Sequence, residues 1–412
     1  MFFVAFVVPK FGREVLRTGV GVPPPVKDDV IIVGAGPAGV VAATLLAREG
    51  VRVRLLDRAT FPRDKLCGDT VNPGTLQALE SLGLSHAADG RGLPIEGMLM
   101  TGPGGTKVEA RYPSGLRGRS LERRDFDWAL LQSAIAAGVR FEPAVAVRRA
   151  LVDESGPNKT IRGVVAVRKG HEHTMPALVT VAADGRHSTL AFGLGLARHP
   201  SRPRRWAVGA YFENAGGTPS VGEMHVRSGR YIGVAHLGNG LSNVCLVKPS
   251  TAGDAAFGDP TSLLRFELTR DPFLRERFSV ARLVRPPAVL GPLAVDVTPE
   301  SVRGLILAGD AAGFIDPMTG DGLRFAVRGG ALAARATLEA LQHGWAGVHE
   351  RLAAARRREF AAKWRFNRTV RALVASPALV HGATFSARLV PALLRRLIVT
   401  AGDCSAPTPD AN

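Results

Sequence analysis

The 412-residue sequence predicts an α/β protein with a parallel sheet of Rossmann type, an inserted antiparallel sheet and a helical C-terminus. Three observations predict it. An apolar strand-like run enters a Gly-x-Gly-x-x-Gly turn at residues 34–39, and a second such run breaks into Gly309-Asp310. Between them, residues 205–250 hold short alternating runs spaced by Gly and Asn, the pattern of an antiparallel sheet.

Taken in order, residues 1–27, with Pro23-Pro24-Pro25, read as a poorly ordered extension. Met1 to Val8 is apolar but stops at Pro9 without a basic leader, so it does not read as a secretory signal. Val30 to Val33 is the first strand, a helix-compatible segment runs to about Glu49, and Val51 to Asp57 closes the unit. Gly34 permits the tight strand-to-helix turn, Gly36 lets backbone approach a pyrophosphate, and Gly39 lets the helix pack closely on the strand. The helix start then presents N–H groups to the phosphates, where its dipole favours negative charge. Asp57 follows Gly39 by 18 residues, where a carboxylate accepts hydrogen bonds from both ribose hydroxyls. Strand, turn, helix and acid in register predict dinucleotide binding.

The far end of the chain says which dinucleotide. Leu305-Ile-Leu-Ala-Gly309-Asp310-Ala-Ala-Gly313 is another buried-type strand and turn. Phe314-Ile-Asp-Pro317-Met-Thr-Gly320-Asp321-Gly322 follows, then a long helix from Leu323 rich in Ala and Gly. A nicotinamide enzyme needs no second cradle so far from its fingerprint, whereas FAD is long and its ribityl-flavin half does. Asp310 suits the ribityl or sugar hydroxyls. A helix starting at Gly320 to Gly322 would aim N–H groups at the flavin N1–C2=O edge and stabilise the reduced anion. Two signals lie between: Phe61-Pro-Arg-Asp-Lys-Leu-Cys67-Gly68-Asp69, and the strand Val179 to Ala183 ending in Asp184-Gly185. Each alone reads as a surface turn.

The order G-x-G-x-x-G, F-P-R-x-K-x-C-G, D-G and G-D-A-A-G-F-x-x-P-x-x-G-x-G resembles the geranylgeranyl reductase branch of the FAD-dependent oxidoreductases, over roughly residues 28 to 345. That branch stands beside the aromatic hydroxylases and halogenases of the p-hydroxybenzoate hydroxylase-like fold. The resemblance puts Gly34, Gly36, Pro37, Ala38 and Gly39 on the pyrophosphate and Asp57 on the adenosine ribose. It counts Arg58, Cys67 and Gly68 among the FAD contacts. Arg123, in Arg123-Arg-Asp-Phe-Asp127, is similar to the family's FAD-contacting arginine, and Asp184 falls where FAD and NAD(P)H meet. Gly309, Asp310, Pro317, Gly320, Asp321, Gly322 and Leu323 would line the flavin side. There are departures. The prenyl reductases' Y-x-W-x-F-P element is reduced to Tyr231-Ile-Gly-Val-Ala-His236, and the halogenase W-x-W-x-I-P signature is absent.

Composition fits an enzyme with an ample core. Cys67, Cys245 and Cys404 are too far apart for a disulfide framework or a metal site, which points to a reducing, cytoplasmic compartment. Cys245 reads as a strand core residue. The net charge of +17 invites a nucleic-acid reading, but arginine is spread along the chain without aromatic stacking motifs, so no nucleic-acid partner is expected. The densest basic run, residues 351–371, holds eight Lys or Arg against Glu359 alone. Phe385, Leu389, Leu393 and Leu397 then recur every four residues, with Val390, Leu394 and Ile398 beside them. The two segments read as a solvated face and a packed helix, or as a peripheral membrane contact. No segment reaches the ~18 apolar residues of a membrane span.

The expected organisation is an FAD-binding domain from 28–92, 120–200 and 290–345, a substrate domain from 93–119 and 201–289, and a basic helical region from 346–412. The leading functional expectation is NAD(P)H- or otherwise-driven reduction of a carbon–carbon double bond in a hydrophobic isoprenoid- or polyketide-type substrate. Cys67, His236 or a water would supply the proton. The same cradle serves an aromatic monooxygenase or a membrane-docked electron relay, and the motifs leave these open.

Overall fold

The computed structural model describes residues 28–201, 204–250, 254–375, 398–402 and 404. The extension at 1–27 and the apolar repeat at 385–397 lie outside the described residues.

The first sheet is built around five parallel strands in the spatial order Arg140–Glu142, Val53–Leu56, Asp28–Val33, His171–Ala182, Leu305–Leu307. Val33 pairs with Leu56 on one side and Ala182 on the other, so these strands end at one edge. The turns carrying Gly34, Asp57, Asp184 and Gly309 therefore leave that edge together, the place where open α/β sheets bind ligands. The long strand His171–Ala182 does double duty. Its first half pairs antiparallel with Thr160–Arg168, which pairs in turn with Ala146–Asp153.

Alternation explains why Val30 to Val33 is apolar throughout. Val30 and Ile32 face one core, with Leu55, Val181, Phe126 and Val327. Ile31 and Val33 face a second, with Leu56, Ala182, Val145 and Ile161. Helix Pro37–Arg48 packs against helix Gly322–His343 in the first core, and the Gly and Ala content of the latter has a geometric cause. A Cβ on Gly330 would lie 2.4 Å from the Ala38 carbonyl oxygen.

The second sheet runs in the order Arg282–Leu283, Arg205–Glu213, Leu241–Pro249, Arg230–His236, Val221–Arg227, Gly97–Thr101, Lys107–Arg111, with Ala288–Leu290 also on Arg205–Glu213. The four runs read between 205 and 250 are its centre and pair antiparallel as expected. The junction with Gly97–Thr101 is parallel. Those two strands come from distant segments joined through the first sheet, so no tight hairpin imposes an antiparallel pairing. Helices Pro260–Thr269 and Arg275–Ser279 cover one face through Leu264, Leu268 and Phe278. The other face, with Ala207, Tyr231 and Val247, looks back toward the first sheet.

Helix Val348–Ala375 closes the molecule beside Gly322–His343. Lys363 Nζ donates to the carbonyls of Thr400 at 2.6 Å and Ala401 at 3.2 Å, and reaches Asp321 Oδ1 at 3.2 Å. One buried cation thus pins the C-terminal segment to the start of helix Gly322–His343.

Candidate active site

A cavity of about 940 Å³ lies between the two sheets, at the upper end of small-molecule sites. Gly34, Gly36, Pro37, Ala38, Asp57, Arg58, Asp184 and Gly309 wall one end. Cys67, Gly68, Arg123, Asp310, Pro317, Gly320, Gly322 and Leu323 follow. The wall then turns apolar through Met98, Met100, Met224, Leu290, Phe366 and Val370.

At the first end the turn does what its glycines require. Gly34 has φ +101°, and a Cβ there would lie 2.4 Å from the Ala183 carbonyl oxygen. Helix Pro37–Arg48 starts without a side-chain cap and without an acid in its first turn, which leaves its dipole to whatever anion sits in the cavity. Asp57 is held in place by its neighbours: Oδ2 accepts from the Ala35 N–H and Oδ1 from the Ala59 N–H, both at 2.8 Å. Each oxygen keeps a lone pair for a hydroxyl.

Cations and acids crowd the middle. The Arg123 guanidinium grips Asp127 with both arms, at 2.8 and 2.9 Å, and Arg63 reaches the same carboxylate at 3.2 Å. Burial alone would lower the Arg123 pKa, but Asp127 and the Cys67 sulfur it bonds more than offset this and raise it. Lys65 faces the cavity, and its ammonium is pushed down to about 8 by desolvation and then by the charges of Arg123, Arg186 and Arg63. Desolvation also lowers Arg186, to about 10, against the pull of Asp310. Burial raises Asp310 and Asp184 in turn. Asp184 Oδ2 takes the Thr189 N–H at 2.7 Å and its carboxylate also bonds Ser188, while the buried Arg186 Nε has no hydrogen-bond partner among the described residues. Two flanking carboxylates can accept from a dinucleotide's hydroxyls, and an uncapped helix start can donate to its phosphates.

Three expected site residues stand elsewhere. Gly39 is off the wall; a Cβ on it would meet the Gly34 carbonyl oxygen at 1.9 Å, so its lack of a side chain serves the close packing of helix on turn. Asp321 is buried behind the flavin-side turn on Lys363 and Asn72, and helix Gly322–His343 has no side-chain cap. His236 is locked in a buried network. Its Nε2 meets Glu223 Oε1 and its Nδ1 meets Ser242 Oγ, both at 3.0 Å. Burial would raise Glu223, but hydrogen bonds from His225, His236 and Arg277 hold it well below the carboxylate range. Cys67 alone of the expected proton donors faces the cavity, and Cys245 also lines it from strand Leu241–Pro249.

Other polar groups stand around the cavity. Lys65 and Arg186 sit inside motifs whose glycines and acids carry the sequence signal. Asp69, at φ 50°, ties the 61–69 segment to the second sheet: Tyr211 Oη donates to it at 2.7 Å and Asn243 Nδ2 at 2.9 Å. Tyr231 Oη donates to Asp316 Oδ1 at 2.5 Å, joining the same sheet to the flavin-side turn. Two residues on, Gly233 lines the cavity, and a Cβ there would have no neighbour closer than 3.9 Å. There is thus room above Gly233 for a larger group. Phe366 and Val370, inside the basic run, and Val374 just beyond it, are spaced four residues apart and are also wall residues.

Comparison with known proteins fixes the family. Residues 27–225 match an FAD binding domain. The chain is 30% identical over 322 residues to digeranylgeranylglycerophospholipid reductase 2 of Methanopyrus kandleri, covering 76% of this chain and 78% of that one. It is 31% identical over 325 residues to menaquinone reductase of Mycobacterium tuberculosis, covering 74% and 75%. The chain belongs to the geranylgeranyl reductase family of FAD-dependent oxidoreductases. Its fold is shared with a geranylgeranyl bacteriochlorophyll reductase-like protein of Thermoplasma acidophilum, at TM-score 0.73 and 22% identity over 86% of this chain and 89% of that one. A flavin-dependent brominase has the same fold, at TM-score 0.76 and 19% identity over 92% and 94%. FAD is thus the cofactor of this family member.

Proposed function

We propose that this oxidoreductase hydrogenates a carbon–carbon double bond in a hydrophobic, isoprenoid- or polyketide-type substrate, with NAD(P)H as the reductant. One observation carries the reading: the dinucleotide cradle runs without a break into an apolar chamber walled by methionine, leucine and phenylalanine side chains. A substrate of that chemistry is also named in the reductases of M. kandleri and M. tuberculosis.

Bound FAD supplies reversible two-electron chemistry. The chain supplies position, dryness and a proton. Gly36, Pro37 and Ala38 would take the phosphates, Asp57 the adenosine ribose, and Asp310 and Asp184 the remaining hydroxyls. Met98, Met100, Met224 and Phe366 would hold the alkene and exclude water. The proton for the second carbon must come from a group on the wall. Cys67 qualifies by position, and Lys65, at about 8, is poised to release a proton near neutral pH. His236, locked in its buried network, is not in this proposal.

The test is product analysis by mass spectrometry after incubation of the reduced holoenzyme with geranylgeranyl lipids and menaquinones under argon. The expected product has gained two hydrogens. A product that forms only in air and has gained one oxygen atom would make the protein a monooxygenase instead.

A further inference from the structure

Helix Val348–Ala375 has two unlike faces. Phe366, Val370 and Val374 line the cavity. On the other side Arg357, Arg358, Arg365 and Arg368 are exposed, and none of their guanidinium groups makes a hydrogen bond or ion pair with another described residue. At 3.6 residues per turn these four fall within a sector of about 100°, spread over about 17 Å of helix, and the three cavity residues lie on the opposite side. The nearby acid is engaged elsewhere: Glu359 bonds Arg324 and Arg328. Trp364, partly exposed and packed on Phe360, lies beside the arginines. Tryptophan is the side chain that settles at the headgroup level of a bilayer.

We infer that this arginine stripe docks the enzyme on an anionic phospholipid surface. The inference rests on the proposed apolar substrate, because such a molecule resides in the bilayer and a single helix would then separate the membrane from the chamber that receives it. Arginine suits phosphate headgroups through its planar fork of donors. A stripe held open on a folded helix, with no side-chain partner among the described residues, gives up no ion pair with them when it meets an anionic surface. A nucleic acid is the weaker match, because no ladder of exposed aromatic residues accompanies the arginines.

The test uses the FAD-loaded full chain and sedimentation with vesicles free of any substrate. Vesicles of phosphatidylglycerol in phosphatidylcholine should carry the protein down, and pure phosphatidylcholine should not. Each arginine replaced should weaken binding about fivefold, so a variant with Arg357→Gln, Arg358→Gln, Arg365→Gln and Arg368→Gln should lose it by more than a hundredfold while keeping its flavin absorbance. If that variant sheds its flavin, the Arg358→Glu, Arg365→Glu double variant makes the same comparison. Equal binding to neutral vesicles, undiminished binding by the variants, or binding to duplex DNA with none to vesicles would each overturn the inference. A protein that hydrogenates alkenes in detergent but ignores anionic vesicles refutes the docking alone. One that binds vesicles but reduces no alkene refutes the proposed reaction alone.

Discussion

The fold controls the ionisation of Asp69 through burial. Burial pushes its carboxyl from 3.8 up to about 7, against the Tyr211 hydroxyl and the backbone N–H and charge of Arg123. A carboxyl that binds its proton more tightly when folded contributes stability that is fully present below about pH 4 and lost as pH rises through about 7. The melting temperature of the protein should therefore fall across that window by more than that of Asp69→Asn, with a difference of the order of a few kcal/mol in stability. Parallel melting curves for the two proteins at every pH would contradict this. Residue-scale reading of the sequence succeeded where a backbone rule acts and failed where a face had to be chosen. Gly34 was legible because a positive φ admits little else. His236, one of the candidate proton donors, stands five residues after Tyr231 on one strand. An odd separation puts the two on opposite faces, so a tyrosine facing the flavin side excludes the histidine from it.

At the scale of elements, the crossing of helices Pro37–Arg48 and Gly322–His343 makes a sharp distinction between adjacent glycines. Gly330→Ala drives a methyl to 2.4 Å from the Ala38 carbonyl oxygen, whereas Gly329→Ala places one 3.6 Å from the Gly309 nitrogen, an ordinary contact. Thermal unfolding should show Gly330→Ala less stable by about 1–3 kcal/mol. Gly329→Ala should be unchanged or more stable by up to about 1 kcal/mol, since alanine favours the helix. Equal effects of the two would mean that the close approach is not what this pair of helices depends on. The Gly-Gly pair was visible in the sequence as a composition bias, but which glycine is required depends on the crossing, and no local pattern encodes that. The parallel junction of Gly97–Thr101 with Val221–Arg227 was hidden for a like reason. Strand periodicity marks each partner, and nothing local says who pairs with whom.

At the scale of the whole molecule, one cavity is assembled from segments near residues 34, 67, 184, 233, 310 and 366. The dinucleotide end was legible because phosphate and ribose chemistry demands glycines and acids at fixed spacings along the chain. The apolar end was not, since its walls come from both sheets and from helix Val348–Ala375, whose Phe366 and Val370 read in sequence as part of a basic run. In the proposed reaction, flavin and alkene share this one chamber. Stopped-flow mixing tests it most directly: the holoenzyme is reduced anaerobically, mixed with a geranylgeranyl lipid or a menaquinone, and followed by flavin absorbance. The account predicts oxygen-free reoxidation at a rate that saturates with alkene concentration. A flavin that stays reduced with every alkene until air is admitted would contradict it.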